Sequence, residues 1–156
     1  IVRPKSGGEV FSAGGARVIV RGTGASCEAA GANERSLLLE ARYGSLSVWL
    51  PGDVEKGPAA WGRAAGNGGG NRGEKRVLFL PHHGSPGADP ASWVRVAKPF
   101  AVVSQNRNCF LEKNLLPSFE SFLLENGMFA IRSDGDAVSC KQEVGFRVWK
   151  LFWRLP

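Results

Sequence analysis

The chain reads as short apolar runs separated by turn signals, with a few stretches of helical spacing between them. Val10 and Phe11 precede the turn signal Gly14-Gly15, and Val18-Ile19-Val20 follow it, which predicts a hairpin over Glu9 to Arg21. Thr23 to Asn33 is small and polar and reads as a loop. Ser36 to Tyr43 has period two: Leu37, Leu39 and Ala41 face one way, Leu38, Glu40 and Arg42 the other. Gly44-Ser45 turns the chain, Leu46 to Leu50 runs back as a strand, and Pro51-Gly52-Asp53 ends the second hairpin. Arg76 to Leu80 and Phe100 to Ser104 have the pattern of buried strands. Phe129 to Arg132 and Ala137 to Cys140 form a terminal hairpin about Asp134-Gly135-Asp136.

Three helices are predicted among these strands. Pro58 to Ala65 is a short one with proline in its first turn. Asp89 before Pro90 is an N-cap followed by proline at the first helical position, and opens a helix over about Ala91 to Ala97. In Ser118 to Asn126, Phe119, Phe122 and Leu123 share a helical face and Gly127 closes it. Strands alternating with helices across Arg76 to Arg132 give an α/β domain whose sheet is covered by helices.

Composition adds constraints. With 43% hydrophobic residues the 156-residue chain can bury a core, and 22% charged residues argue against wholesale disorder. The 21 glycines cluster, above all in Gly66 to Gly73, which reads as a flexible insert. The net charge of +6 suits either a solubilising surface or a polyanionic partner. Cys27, Cys109 and Cys140 are widely spaced and form no CxxC, so a cysteine-rich zinc site is set aside. No signal peptide or membrane-spanning run is visible, and Ile1 in place of Met points to a processed or excised chain.

Two places carry candidate chemistry. Asp53 follows a strand of large apolar residues, where a carboxylate projects into the crevice in which α/β proteins bind ligands, or else accepts N–H bonds within its own turn. His82 and His83 are the only histidines, and they lie between a buried strand and Gly84. Adjacent side chains of an extended segment point oppositely, so one imidazole is expected to bind a metal while the other packs or hydrogen-bonds behind it.

The order Asn33-x-x-Ser36-Leu37-Leu38-Leu39, Tyr43-Gly44, Leu50-Pro51-Gly52-Asp53 and Leu80-Pro81-His82-His83-Gly84-Ser85 resembles the second half of the metallo-β-lactamase-like domain of the ComEC DNA-uptake family. The resemblance continues through Lys98 to Ser104 and Ser133 to Val138, and covers most of Val18 to Val138. It implies a partial metallo-β-lactamase fold, the C-terminal half of an αββα sandwich, over residues 1–140, with 141–156 a basic aromatic tail. It also implies Asp53 as a carboxylate bridging two metal ions, zinc or manganese, and a terminal ligand from His82 or His83, with His82 favoured. The activity implied is cleavage of a phosphodiester in transforming DNA by metal-bound water.

The family's first ligand cluster, of the His-x-x-x-Asp-His kind, is absent and is expected to precede Ile1. Asn106-Arg107-Asn108-Cys109-Phe110 lacks the histidine usual there. The chain alone is therefore expected to be inactive. Arg107, Lys113, Lys98 and Arg95 are candidate phosphate contacts. The tail from Phe146 to Pro156 suits stacking on single-stranded DNA, a membrane interface or packing on the domain. Expected partners are DNA, a membrane-embedded channel of the same protein, and a second copy through an exposed sheet edge. The expected setting is an extracytoplasmic domain of a membrane protein. Two rivals remain: a non-catalytic module that binds DNA or supports the channel, and another hydrolase of the superfamily acting on a small ester or phosphodiester.

Overall fold

The computed structural model describes residues 7–23, 31–55, 57–58, 73–104, 120–123 and 128–143. Their elements are β1 (Glu9–Ala13), β2 (Ala16–Thr23), β3 (Leu37–Tyr43), β4 (Leu46–Leu50), β5 (Lys75–Phe79), α1 (Pro90–Ala97), β6 (Ala101–Ser104), β7 (Glu120–Leu123), β8 (Met128–Ser133) and β9 (Val138–Glu143). Strands β1 to β7 form one mixed sheet in sequence order, and β8 and β9 pair as a separate two-stranded sheet. The protein is therefore mixed α/β.

Connection length divides the large sheet. Gly14-Gly15 and Gly44-Ser45 are two-residue turns whose glycines all have positive φ, and tight turns of that kind can only join antiparallel neighbours. β1–β2 and β3–β4 are accordingly antiparallel, and β2 and β3 also pair antiparallel, across the longer connection between Thr23 and Leu37. From β4 onward the pairs are parallel, joined by connections long enough to cross over, with α1 as the crossover between β5 and β6. Asp89 caps α1 as expected: its side chain accepts the N–H of Ser92 at 3.3 Å.

The helix expected over Ser118 to Asn126 is corrected by the structure, which makes Glu120–Leu123 the edge strand β7. Its backbone pairs with β6 from Ala101↔Glu120 to Ser104↔Leu123. A run this short fits either period, and the open edge of β6 decides for strand. The terminal hairpin is longer than expected, and β9 takes in Lys141 to Glu143 of the segment assigned to a tail. The rest of that tail lies outside the described residues. So do residues 59–65 of the helix expected after Pro58, residues 66–72 of the glycine-rich insert, Arg107 and Lys113.

Period two sorts the apolar side chains onto two faces. Leu38, Trp49, Leu78 and Val102 pack with Trp93, Val94 and Ala97 of α1. Val77, Ala101 and Val103 face the β8–β9 hairpin through Phe129, Ile131 and Cys140. The hairpin is tied down at its turn, where Ser45 N–H donates to Gly135 O at 2.5 Å and Ser45 Oγ donates to Asp136 O at 2.8 Å. A Cβ at Gly44 would lie 2.0 Å from Gly135 O, so only glycine allows this approach. The Asp134 carboxylate accepts the N–H groups of Ala137 and Asp136, which holds its carboxyl below the usual carboxylate range.

Two buried positions are charged, Glu40 and Arg76. Glu40, 1% exposed, lies on the same face as Leu38 and Trp49. Its carboxylate is met by Arg21, by Arg42 Nε at 2.7 Å and by Ser47 Oγ at 2.5 Å. Glu74 continues the network, bonding Arg76 Nη2 at 2.8 Å and lying 3.9 Å from Arg42 Nη2. Arg76 Nη1 then donates to Ala97 O at 2.6 Å, satisfying a carbonyl at the C-terminal end of α1, and its guanidinium lies over the Trp49 ring. Four strands and the helix are thereby joined by one chain of charges.

Burial raises the Glu40 carboxyl, and the bonds from Ser47, Arg42 and Arg21 outweigh it, so the group titrates below its ordinary 4.5. A carboxyl depressed by folding contributes stability that is present above its unfolded value and lost as pH falls through its folded value. Glu40→Ala is expected to cost about 2–3 kcal/mol, less than the roughly 3–5 of a fully buried pair because both arginines are about a quarter exposed. Urea unfolding of wild type and Glu40→Gln checks the sign: their difference should be present at pH 6 and shrink as pH falls below 4.5. A gap that widens in acid would overturn the assignment.

Candidate functional site

The candidate residues lie past the C-terminal ends of the parallel strands β4 and β5. Past β4 the chain turns at Gly52, whose φ is +67, and presents Asp53 and then Glu55. Past β5 it passes Pro81 into the two histidines. Their backbone departs from the expected extended form: His82 (φ 45, ψ 47) and His83 (φ 59, ψ 14) are both left-handed. Each costs on the order of 1–2 kcal/mol for a residue with a Cβ. The tight curl brings the two rings near each other, with centroids 6.1 Å apart, so the opposed pointing expected of an extended pair is not what the loop adopts.

Neighbouring strand ends brace that curl. His82 N–H donates to Gly52 O at 3.0 Å, on the β4 side. Ser104, the last residue of β6, donates its Oγ to His83 O at 3.2 Å. The imidazoles then each meet a carboxylate: His83 Nε2 lies 3.4 Å from Asp53 Oδ1, and His82 Nδ1 lies 3.4 Å from Glu55 Oε1. Asp53 and His83 are about half exposed, so the crevice is open to solvent.

All three residues expected at the site, Asp53, His82 and His83, are thus brought together. The histidine against Asp53 is His83, while the favoured His82 meets Glu55. Glu55 was not singled out from sequence, although it stands two residues past Asp53, the spacing that repeats a face in extended chain. Lys98 lies elsewhere. It caps the C-terminal end of α1, beside the start of β5, and so sits at the opposite end of the sheet from the histidines. Arg95 is an exposed residue of α1 that bonds Ser92 Oγ. A cavity of about 380 Å³, lined by Arg42, Ser47, Glu74 and Asp136 among others, also belongs to that opposite end.

No family model, curated protein or solved structure matches the chain. The resemblance across Val18 to Val138 therefore stands on those residues alone.

The donors suit a divalent metal in kind. Two ligands at about 2.1 Å from a tetrahedral zinc lie about 3.4 Å apart, which is the Asp53–His83 separation. They are short in number. Among the described residues no group of three or more such side chains could hold an ion, and a catalytic zinc takes three protein ligands.

The left-handed histidines generate a stability test. His82→Gly and His83→Gly are each expected to be more stable than the matching alanine variant by up to about 1 kcal/mol, because glycine adopts positive φ without steric cost. Denaturation midpoints of the four variants measure this; alanine variants that equal or exceed the glycine ones would mean that the loop is not left-handed.

Proposed function

We propose that this chain forms one wall of a metal-dependent phosphodiesterase site, on a partial metallo-β-lactamase fold, in a ComEC-like protein that processes DNA during uptake. The observation that carries the reading is the meeting of Asp53 and His83 across the ends of two neighbouring parallel strands, at a separation that suits two ligands of one ion. That is where α/β sheets bind ligands. Zinc or manganese held by Asp53 and His83 would lower the pKa of a bound water and polarise a phosphodiester. On the same resemblance, further ligands would join Asp53 and His83 at the ion.

The protein's own groups contribute placement. Gly52 O and Ser104 Oγ fix the backbone that carries the histidines, so that Asp53 and His83 face the same point. The charge of +6 favours a polyanion as partner. In this reading the domain is extracytoplasmic and attached to a membrane-embedded channel of the same protein. No helix among the described residues is long and apolar enough to cross a membrane.

The shortage of donors favours a second reading, in which the module binds DNA or supports the channel without cleaving. Cleavage of labelled single- and double-stranded DNA by the complete domain, with manganese or zinc added, separates the two. Metal-dependent cleavage is expected, with a loss of at least about 100-fold in Asp53→Ala and a larger loss in His83→Ala than in His82→Ala. DNA binding without cleavage would decide for the second reading, and activity untouched by Asp53→Ala would sink the site.

Self-association belongs to the same proposal. β1 is a sheet edge exposed along its whole length, with Val10 and Phe11 53% and 54% exposed. Sedimentation of the chain should show a dimer that Phe11→Lys dissociates; a monomer at all concentrations would rule out the edge contact.

A further inference from the structure

Asp53 and Glu55 are held by a short segment that precedes β3. Asn33–Arg35 forms a single 3-10 turn just before β3, and Ser36 follows it. Three hydrogen bonds run from this segment to the loop after β4. Ser36 Oγ accepts the N–H of Asp53 at 3.2 Å. Asn33 Nδ2 donates to Glu55 Oε1 at 2.8 Å, the same oxygen that faces His82 Nδ1. Glu34 Oε1 accepts the N–H of Glu55 at 3.2 Å. The contact is also steric: a Cβ at Gly52 would lie 3.0 Å from Ser36 Cβ, and Gly52 O receives the N–H of His82.

These contacts are more specific than a loop needs for stability alone. An Asn amide bonded to one carboxylate oxygen fixes the rotation of that carboxylate, and a hydroxyl on the Asp53 N–H fixes where its Cα sits. We propose that Ser36 and Asn33 are positioning residues: Ser36 sets Asp53 against His83, and Asn33 sets Glu55 against His82. The two act on different pairs, so they are separable. The geometry stands without a metal, and its consequence for cation binding rests on the function proposed above.

The test uses the full chain without added metal and reads the imidazole carbon–proton signals of both histidines by NMR. Ser36→Ala should displace the His83 signals more than those of His82, and Asn33→Ala the reverse. Asn33→Asp, which keeps the size but sets a negative charge against Glu55, should displace His82 as Asn33→Ala does; Ser36→Thr, which keeps the hydroxyl, should restore the His83 position. Ser47→Ala serves as the structural control, because it weakens the Glu40 network at the other end of the sheet and should leave both imidazoles in place.

Unmoved signals in Ser36→Ala and Asn33→Ala, or equal movement in Ser47→Ala, would overturn the proposal. A second arm titrates manganese into the same proteins. If wild type binds it and Asp53→Ala does not, Ser36→Ala should weaken binding about 3- to 10-fold, in line with the effect of residues that orient metal ligands; unchanged affinity there would also count against positioning. If wild type binds no manganese, Asp53 and His83 do not hold an ion by themselves, and the imidazole comparison still decides the role of Ser36 and Asn33.

Discussion

A carboxylate buried in a sheet has to be met by charge and hydrogen bonds where it stands, and Glu40 obliges several elements to meet it. Arg21 arrives from β2, where the register with β3 shifts between Val20 and Gly22, and that irregularity delivers the guanidinium to the carboxylate. Arg42 comes from Glu40's own strand and Ser47 from β4. Through Glu74 and Arg76 the same network reaches the last carbonyls of α1 and covers the Trp49 ring. Breaking it would strand partly buried arginines, so the network specifies alignment more than it adds net stability. The strands it ties together include β4 and β5, at the end of the sheet away from Asp53 and the histidines.

The ends of those strands are shaped by backbone conformation. Gly52 is left-handed at no cost, whereas His82 and His83 are left-handed with side chains. The strain is held by hydrogen bonds from both neighbours, Gly52 on one side and Ser104 on the other. An unbraced pair would relax into an extended segment, with its rings pointing apart and only one of them over the crevice. Curling the pair gives each imidazole its own carboxylate.

Most strands were legible because period two survives in β3 and because glycine turns punctuate β1 to β4. Asp89-Pro90 announced α1 by a mechanism, a side chain accepting a backbone N–H before a residue that has none to give. The run around Glu120 was misread because Phe119, Phe122 and Leu123 fit a helical face, and nothing local in the sequence reports an open edge on β6. The site was legible as residue types and order, but its pairing was not. Whether His82 or His83 meets Asp53 depends on two torsion angles per residue in a loop, and the extended backbone assumed from sequence is the wrong one. Glu40 showed the opposite gap: its place in the alternation was plain, while its burial depended on Arg21 from β2 and Ser47 from β4 as well as on Arg42 of its own strand.

The charge around the crevice bears on the proposed chemistry. Glu34, Asp53 and Glu55 gather at one end of a chain whose net charge is +6, so this spot runs against the balance of the whole. A phosphodiester approaching it meets carboxylates first, and repulsion between like charges a few ångströms apart is not fully screened in a cleft. A divalent cation between the two reverses the sign locally, which is the electrostatic role a metal plays in phosphoryl chemistry. On the proposed function, this acidic site would take DNA only with a cation in place. A module that held DNA without metal would have to use the basic surface elsewhere, and the Asp53–His83 and Glu55–His82 pairs would then have no part in it. The two readings differ in where the nucleic acid sits as well as in whether it is cut.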